Sequence, residues 1–360
     1  MEDIRTRRQR EFANLWLESN MMNIMNLCPR FGKIRVAINI LEQLNPHCTV
    51  LITYPDNKIR HSWEEDFVKR GYNNPNITFT THLSLKKYVD KIFDIIIIDE
   101  IHLISTAQME ICKELFKENH VMLGLTGTLA SDTKNWLLSA LHLPVVANYS
   151  ISQAISEGVI SDYDITVIKV PLDTTTLQVY KKQRKTEKQQ FDMLSYVINK
   201  QQQEGRDTMF MRLARMRIIQ NSLSKINKTK EILKQYENNR ILVFCGITAV
   251  ADSLDIPSFH SKSTNKMTFQ NFTEGNIKHL AVVKIGATGI TYKPLNQIII
   301  NYFDSNAEDL AQKLNRAMSF EYDNPEKKAH ITIICSTESV ELLWLKKALE
   351  FFSPEKIKYL

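Results

Sequence analysis

The sequence has no closely spaced cysteine pair, no apolar run of bilayer length and no secretory leader pattern. Its five cysteines (Cys28, Cys48, Cys112, Cys245 and Cys335) stand far apart, mostly in apolar surroundings. That argues against a disulfide framework or a zinc site and for a reducing compartment. The expectation is a cytoplasmic chain with no membrane partner. Neither sign of charge dominates: 46 Lys and Arg stand against 40 Asp and Glu, net +6, which is only a mild attraction for a polyanion. No internal repeat is evident. What remains is a soluble composition, 43% hydrophobic and 24% charged, in 360 residues, enough for two or three domains.

Short apolar runs alternate with longer helical stretches through about residue 170: TVLITYP (49–55), ITFTT (77–81), DIIIIDE (94–100) and VMLGLTGT (121–128). The pattern returns from about 240 with RILVFCG, HLAVVKIG, NQIIINYF and HITIICS. Strands alternating with helices imply parallel sheets. Between the halves lies a polar stretch, rich in lysine and glutamine, in which MFMRLARMRIIQNSL has the apolar spacing of a packed helix. The expected organisation is α/β: one parallel-sheet lobe over 1–168, a mainly helical connector over 169–238 and a second lobe over 239–360. The KKQRK run at 181–185 reads as a solvated helix face.

Two stretches carry chemistry. DIIIIDEIHLIS (94–105) runs four isoleucines into Asp99 and Glu100, a strand buried on both faces whose carboxyl end bears two acids. In open parallel sheets that end borders the ligand crevice, and an acidic pair there suits a magnesium ion and a water. A plain acidic turn is the alternative. NLCPRFGKIRVAINIL (26–41) places Arg30, Phe31, Gly32, Lys33, Ile34 and Arg35 where a loop enters a helix, a natural anion site with Lys33 on the phosphates. Of the usual GxxxxGK-Ser/Thr loop only the Gly-Lys pair survives, since Leu27 and Ile34 occupy the first-glycine and hydroxyl positions. An ordinary turn into a helix would read the same. A phosphate loop followed, after several strand–helix units, by an acidic strand end supplies the two parts of a nucleotide–magnesium site in order.

With these motifs the sequence resembles the superfamily-two helicases and translocases, in the compact form found in large phages and viruses. Asp99-Glu100-Ile101-His102 matches the DExH box. YPDNKIRHSWEEDF (54–67), TTHLSL (80–85) and LTGTLA (125–130) resemble further motifs of the first half, and ILVFCGITAVADSL (241–254), FHSK (259–262), KIGATGITYKPLNQIII (284–300) and QKLNRAMSF (312–320) fall in the family's order in the second. The resemblance implies two RecA-like lobes with ATP and Mg2+ between them and a nucleic acid strand, DNA before RNA, across their tops. Gln9 would read adenine, and Gly289 with the loop residues would contact the nucleotide. Asp99 would hold the metal through its water shell, Glu100 would activate water, and Gln312 and Arg316 would meet the γ-phosphate. His102, Thr126 and Thr128 would couple ATP state to lobe motion. Thr81, Ser84, Ser261, Lys262 and Thr288 would hold the strand by its backbone. Replication, recombination or transcription proteins are the partners such a chain would serve, in a host cytoplasm if viral.

The pattern departs from the family at Ile34, at Ser319, where a second arginine is expected, and at Thr291, where many members carry aspartate. These leave open a degenerate member that clamps nucleic acid without turnover. A metabolic phosphotransferase is a third reading, which gives FHSK and TTHLSL no task.

Overall fold

The computed structural model describes residues 3–180, 183–263, 267–283, 295, 297–304, 306–318 and 326–360. They divide into two units, the first holding 3–161 with 311–318 and 326, the second the remainder.

In the first unit the elements run α1 (Ile4–Leu17), β1 (Met22–Leu27), α2 (Lys33–Leu41), β2 (Val50–Tyr54), α3 (Asn57–Arg70), β3 (Ile77–Thr81), β4 (Ile95–Asp99), α4 (Thr106–Leu115), β5 (Met122–Thr126), α5 (Ser131–Leu141), β6 (Val145–Tyr149) and α6 (Ile151–Ser156). The six strands form one sheet in the order β3-β2-β4-β5-β1-β6, every pair parallel. Helices cover both faces, so β2, β4 and β5 are buried along their whole length, as the unbroken Ile95–Ile98 run requires. The order of the strands reverses between β1 and β4, with β5 between them. The loop after β1 and the turn after β4 therefore open at the same carboxyl edge.

The second unit contains β7 (Asp162–Val170), a hairpin of β8 (Gln178–Tyr180) and β9 (Gln183–Lys185), α7 (Glu187–Gln203), α8 (Met209–Gln220), α9 (Leu223–Gln235), β10 (Ile241–Cys245), α10 (Thr248–Asp252), β11 (Ser258–Phe259), α11 (Met267–Glu274), β12 (His279–Val283), β13 (Gln297–Ile300), α12 (Ala307–Leu314), β14 (Lys328–Ser336), α13 (Ser339–Leu349) and β15 (Ile357–Tyr359). Of α12, residues 307–310 belong here and 311–314 to the first unit. Seven strands pair in parallel in the order β11-β12-β10-β13-β14-β7-β15. Both sheets are α/β and parallel, as the strand–helix alternation predicts.

Two expectations need correction. The border set after residue 168 runs through β7, which pairs along its whole length with β14 of the second sheet. The KKQRK run is not a helix face: Gln183–Lys185 form β9, and α7 begins only at Glu187, where the Thr186 and Gln189 side chains make a reciprocal capping box. That cap sets the helix start after the basic run. The MFMRLARMRIIQ segment is helical as α8, yet only Ile219 and Gln220 are buried on it. All five cysteines are buried and free, and no helix among the described residues is long and apolar enough to cross a membrane.

Candidate nucleotide site

The loop between β1 and α2 is built by two left-handed residues, Arg30 (φ 68°) and Gly32 (φ 97°). Gly32 is the N-cap of α2, whose first residue is Lys33. The left-handed cap and the first-turn amides of a nine-residue helix make an anion cradle. A side chain at 32 is excluded twice over: by its backbone angle, and because a Cβ would lie 2.6 Å from Gln9 Nε2. Gln9, fully buried on α1, donates from Nε2 to the Phe31 carbonyl at 2.8 Å, which ties the upstream helix to the loop.

Lys33 Nζ reaches across to Glu100 Oε1 at 2.6 Å, with both side chains about one-seventh exposed (15% and 14%). Glu100 itself is left-handed (φ 51°) and stands directly after β4, where the strand ends. Asp99 Oδ2 accepts from Trp63 Nε1 of α3 at 3.0 Å, and its Oδ1 accepts from the Glu100 backbone N–H at 3.0 Å. Thr126 Oγ1 lies 2.8 Å from His102 Nδ1 and donates to the Thr128 carbonyl at 3.0 Å. Donor and acceptor roles between Thr126 Oγ1 and His102 Nδ1 follow the imidazole tautomer. That nitrogen also faces Glu100 Oε2 at 3.4 Å.

The two acids titrate apart. Burial first, and then the Glu100 charge, push the Asp99 carboxyl up to about 6. Burial also opposes ionisation of Glu100, but the Lys33 charge, His102 and the Lys33 hydrogen bond outweigh it and hold Glu100 below its ordinary value. His82, in the short turn after β3, is buried and its pKa is lowered to about 4, chiefly by desolvation. Three buried oxygens of the site, Glu100 Oε2, Gln9 Oε1 and Thr128 Oγ1, make no hydrogen bond. The unmatched Glu100 oxygen suits a divalent cation, and the start of α2 with Lys33 suits the phosphate that cation would accompany.

Lys33, Asp99, Glu100, His102, Thr126, Thr128, Gln9, Phe31 and Gly32 thus converge in the first unit. Ile34 is half-buried and Arg35 exposed on the first turn of α2. Thr81 and Ser84 stand at the carboxyl end of β3, with their hydroxyls 3.4 Å apart. In the second unit Ser261 and Lys262 are exposed in the turn after β11. Thr288, Gly289, Thr291 and Ser319 lie outside the described residues. Gln312 falls on α12 and Arg316 in the turn Asn315–Met318. Three residues were not anticipated: Trp63, which orients Asp99; His82; and Gly127. A Cβ at Gly127 would stand 3.2 Å from Lys33 Nζ and from Pro29 Cγ. The glycine in LTGTLA was a visible signal for close approach; the other two depend on tertiary placement.

Two family models match the chain. One, described as the type III restriction enzyme res subunit, covers residues 34–131; the other, the helicase conserved C-terminal domain, covers 224–321. The chain carries the paired domains of a superfamily-two helicase. It is an ATP-hydrolysing enzyme of the helicase and translocase type. Over 344 residues the helicase is 24% identical to the DNA 3'-5' translocase XPB2 of Sulfurisphaera tokodaii, covering 86% of this chain and 77% of that protein. Solved structures share its fold. The type ISP restriction-modification enzyme LlaBIII bound to DNA matches with TM-score 0.61 and 13% identity, over all of this chain but only 31% of that one. The Pyrococcus furiosus Hef helicase domain gives 0.55 and 14%, over 97% of this chain and 100% of that one. S. cerevisiae Dbp5 bound to RNA and ADP BeF3 gives 0.57 and 10%, over 98% and 88%. Both lobes are RecA-like.

Proposed function

We propose that the helicase is a DNA-tracking motor of the DExH kind whose first lobe binds magnesium-ATP at the Lys33–Glu100–Asp99 cluster. The observation that carries this reading is the ion pair itself. A lysine at the start of α2 and a glutamate just after β4, each mostly buried, are paired at 2.6 Å, an arrangement that supports a γ-phosphate and attacking-water site. Lys33 leaves Glu100 for the phosphates when nucleotide enters, and Glu100, relieved of its partner, becomes the base for water. Asp99, oriented by Trp63, would hold the metal through its water shell. Magnesium supplies charge neutralisation of the phosphates. Gln9 and Phe31 seat the base, while Gln312 and Arg316 meet the γ-phosphate. His102, bonded to Thr126 and close to Glu100, is the link by which the hydrolytic acid reports to LTGTLA.

DNA is preferred as the track because the curated relative is named a DNA translocase and the LlaBIII structure is bound to DNA; Dbp5 bound to RNA keeps RNA as the competing arm. Ile34, in place of a metal-ligating hydroxyl, favours a second reading in which turnover is slow or absent and the chain acts as a clamp. Magnesium-dependent ATP hydrolysis should be measured with single-stranded DNA, duplex DNA and RNA, beside Glu100→Gln. Stimulation by DNA, lost in the variant, is the expected result; RNA-only stimulation overturns the track, and strand binding without hydrolysis establishes the clamp.

A further inference from the structure

The positive charge of the chain is concentrated in one place. Residues 181–240 hold 15 Lys and Arg against 6 Asp and Glu, an excess larger than the net +6 of the whole, so the other 300 residues are slightly acidic. None of the strand-contacting motifs lies in that segment. Its middle is α8, whose surface is unusual for a helix in a folded lobe: Met209 is 62% and Phe210 83% exposed, and Leu213 is also exposed. Beside them a cavity of about 790 Å3 opens between α7, α8 and α13, lined by Ile198, Arg212, Arg215, Met216 and Trp344 among others.

The lining of this cavity mixes arginines with apolar side chains. Arg215 is held by Ser195 Oγ at 3.1 Å and by the Phe191 ring at 5.4 Å, not by a carboxylate. Burial first and then the neighbouring Arg212 charge lower its pKa, against a smaller opposing pull from Glu338. Arg212 is exposed and makes no ion pair among the described residues. The carboxylate on the lining, Asp207, is turned to the start of α8, where it accepts from the Met209 N–H at 2.8 Å. Glu338 offsets part of the Arg212 repulsion on Arg215, and Arg212 itself makes no ion pair among the described residues, so the pair can still take a phosphate.

We infer that this cavity is a second strand-binding site, in which a backbone phosphate of a single-stranded nucleic acid sits on Arg212 and Arg215 and an unstacked base enters against Trp344 and Met216. The inference rests on the strand-dependent reading of the helicase. Arginines beside aromatic and thioether side chains are the chemistry of a sequence-tolerant single-strand platform, and the volume falls in the range that holds a small ligand such as one nucleotide.

The test uses the full chain and a fluorescein-labelled oligothymidylate, with anisotropy titrated between low and moderate salt for wild type, Arg212→Ala and Arg212→Glu. Arg212 is exposed and outside the nucleotide site, so strand-free ATP hydrolysis should be unchanged. The expected result is a loss of about tenfold in affinity for Arg212→Glu, and for Arg212→Ala a salt slope shallower by about 0.7, one phosphate contact. Oligonucleotides carrying 5-iodouracil should photocrosslink to the peptide containing Trp344. Unchanged affinity and slope in both variants, with crosslinks only elsewhere, overturns this site and leaves the motor reading standing. No strand binding by the wild type overturns the motor reading itself.

Discussion

Lys33 Nζ and Glu100 Oε1 stand 2.6 Å apart, the first residue of α2 against the residue that ends β4. Each is mostly hidden from water, so removing one leaves the other charged and desolvated. Lys33→Met is expected to destabilise the chain by about 3 kcal/mol, the usual scale for a broken buried pair, and Glu100→Gln by less because an amide still accepts from the ammonium. The double variant should recover part of the Lys33→Met loss. Thermal melts of the three proteins check this, and additive losses would show that the pair carries no coupling. All three should hydrolyse no ATP.

His82 sets an acid limit on the first lobe. In the unfolded chain its imidazole protonates near the ordinary 6.5, and in the folded chain only near 4, because burial disfavours the cation. A pKa lowered on folding gives stability that is present above 6.5 and is lost as pH falls through the interval to 4. The loss from this group amounts to roughly 3 kcal/mol. Melting temperature followed from pH 7.5 to 4 should fall more steeply in wild type than in His82→Gln, which cannot take the proton. Parallel curves would remove His82 from the account.

Trp63→Phe keeps the ring and deletes the N–H that Asp99 Oδ2 accepts at 3.0 Å. A buried carboxylate left short of a donor costs about 1–3 kcal/mol and pushes its pKa higher still. The expected outcome is a lower melting temperature together with a higher magnesium concentration for half-maximal ATP hydrolysis. If the magnesium requirement does not move, the indole is a packing group alone.

Much of this was legible before any coordinates. The Ile95–Ile98 run reads as a strand buried on two faces, which β4 is, although the acids at its end would read the same in a plain solvated turn. The Gly32–Lys33 pair marked the turn into α2, where Gly32 is the left-handed cap, but an ordinary turn into a helix would read the same. β1, by contrast, reads MNIMNL, with asparagines that break the apolar pattern, and β7 reads DYDITVIKV, whose alternation says nothing about which sheet it joins. The Trp63–Asp99 bond depends on how α3 is rotated over the sheet, and no local spacing encodes that. The exposure of α8 was misread for the same reason: helical periodicity states which residues share a face, not whether another element covers it.

Ile34 is the departure with the most direct consequence. It follows Lys33 on the first turn of α2, half-buried, at the position where phosphate loops of this kind carry the hydroxyl that ligates magnesium. Without that ligand the metal is held by fewer protein groups, so its binding should be weak and hydrolysis slow. Ile34→Thr keeps the β-branch, and with it the backbone preference, while supplying the oxygen. It should lower the magnesium concentration needed for half-maximal hydrolysis several-fold and raise the turnover rate, at about 1 kcal/mol of stability from the lost methyl packing. Ile34→Val, which makes the same cavity without the oxygen, is the control. Equal magnesium dependence in the two variants would mean that the metal is held without any group at this position, and that slow turnover must be sought elsewhere in the site.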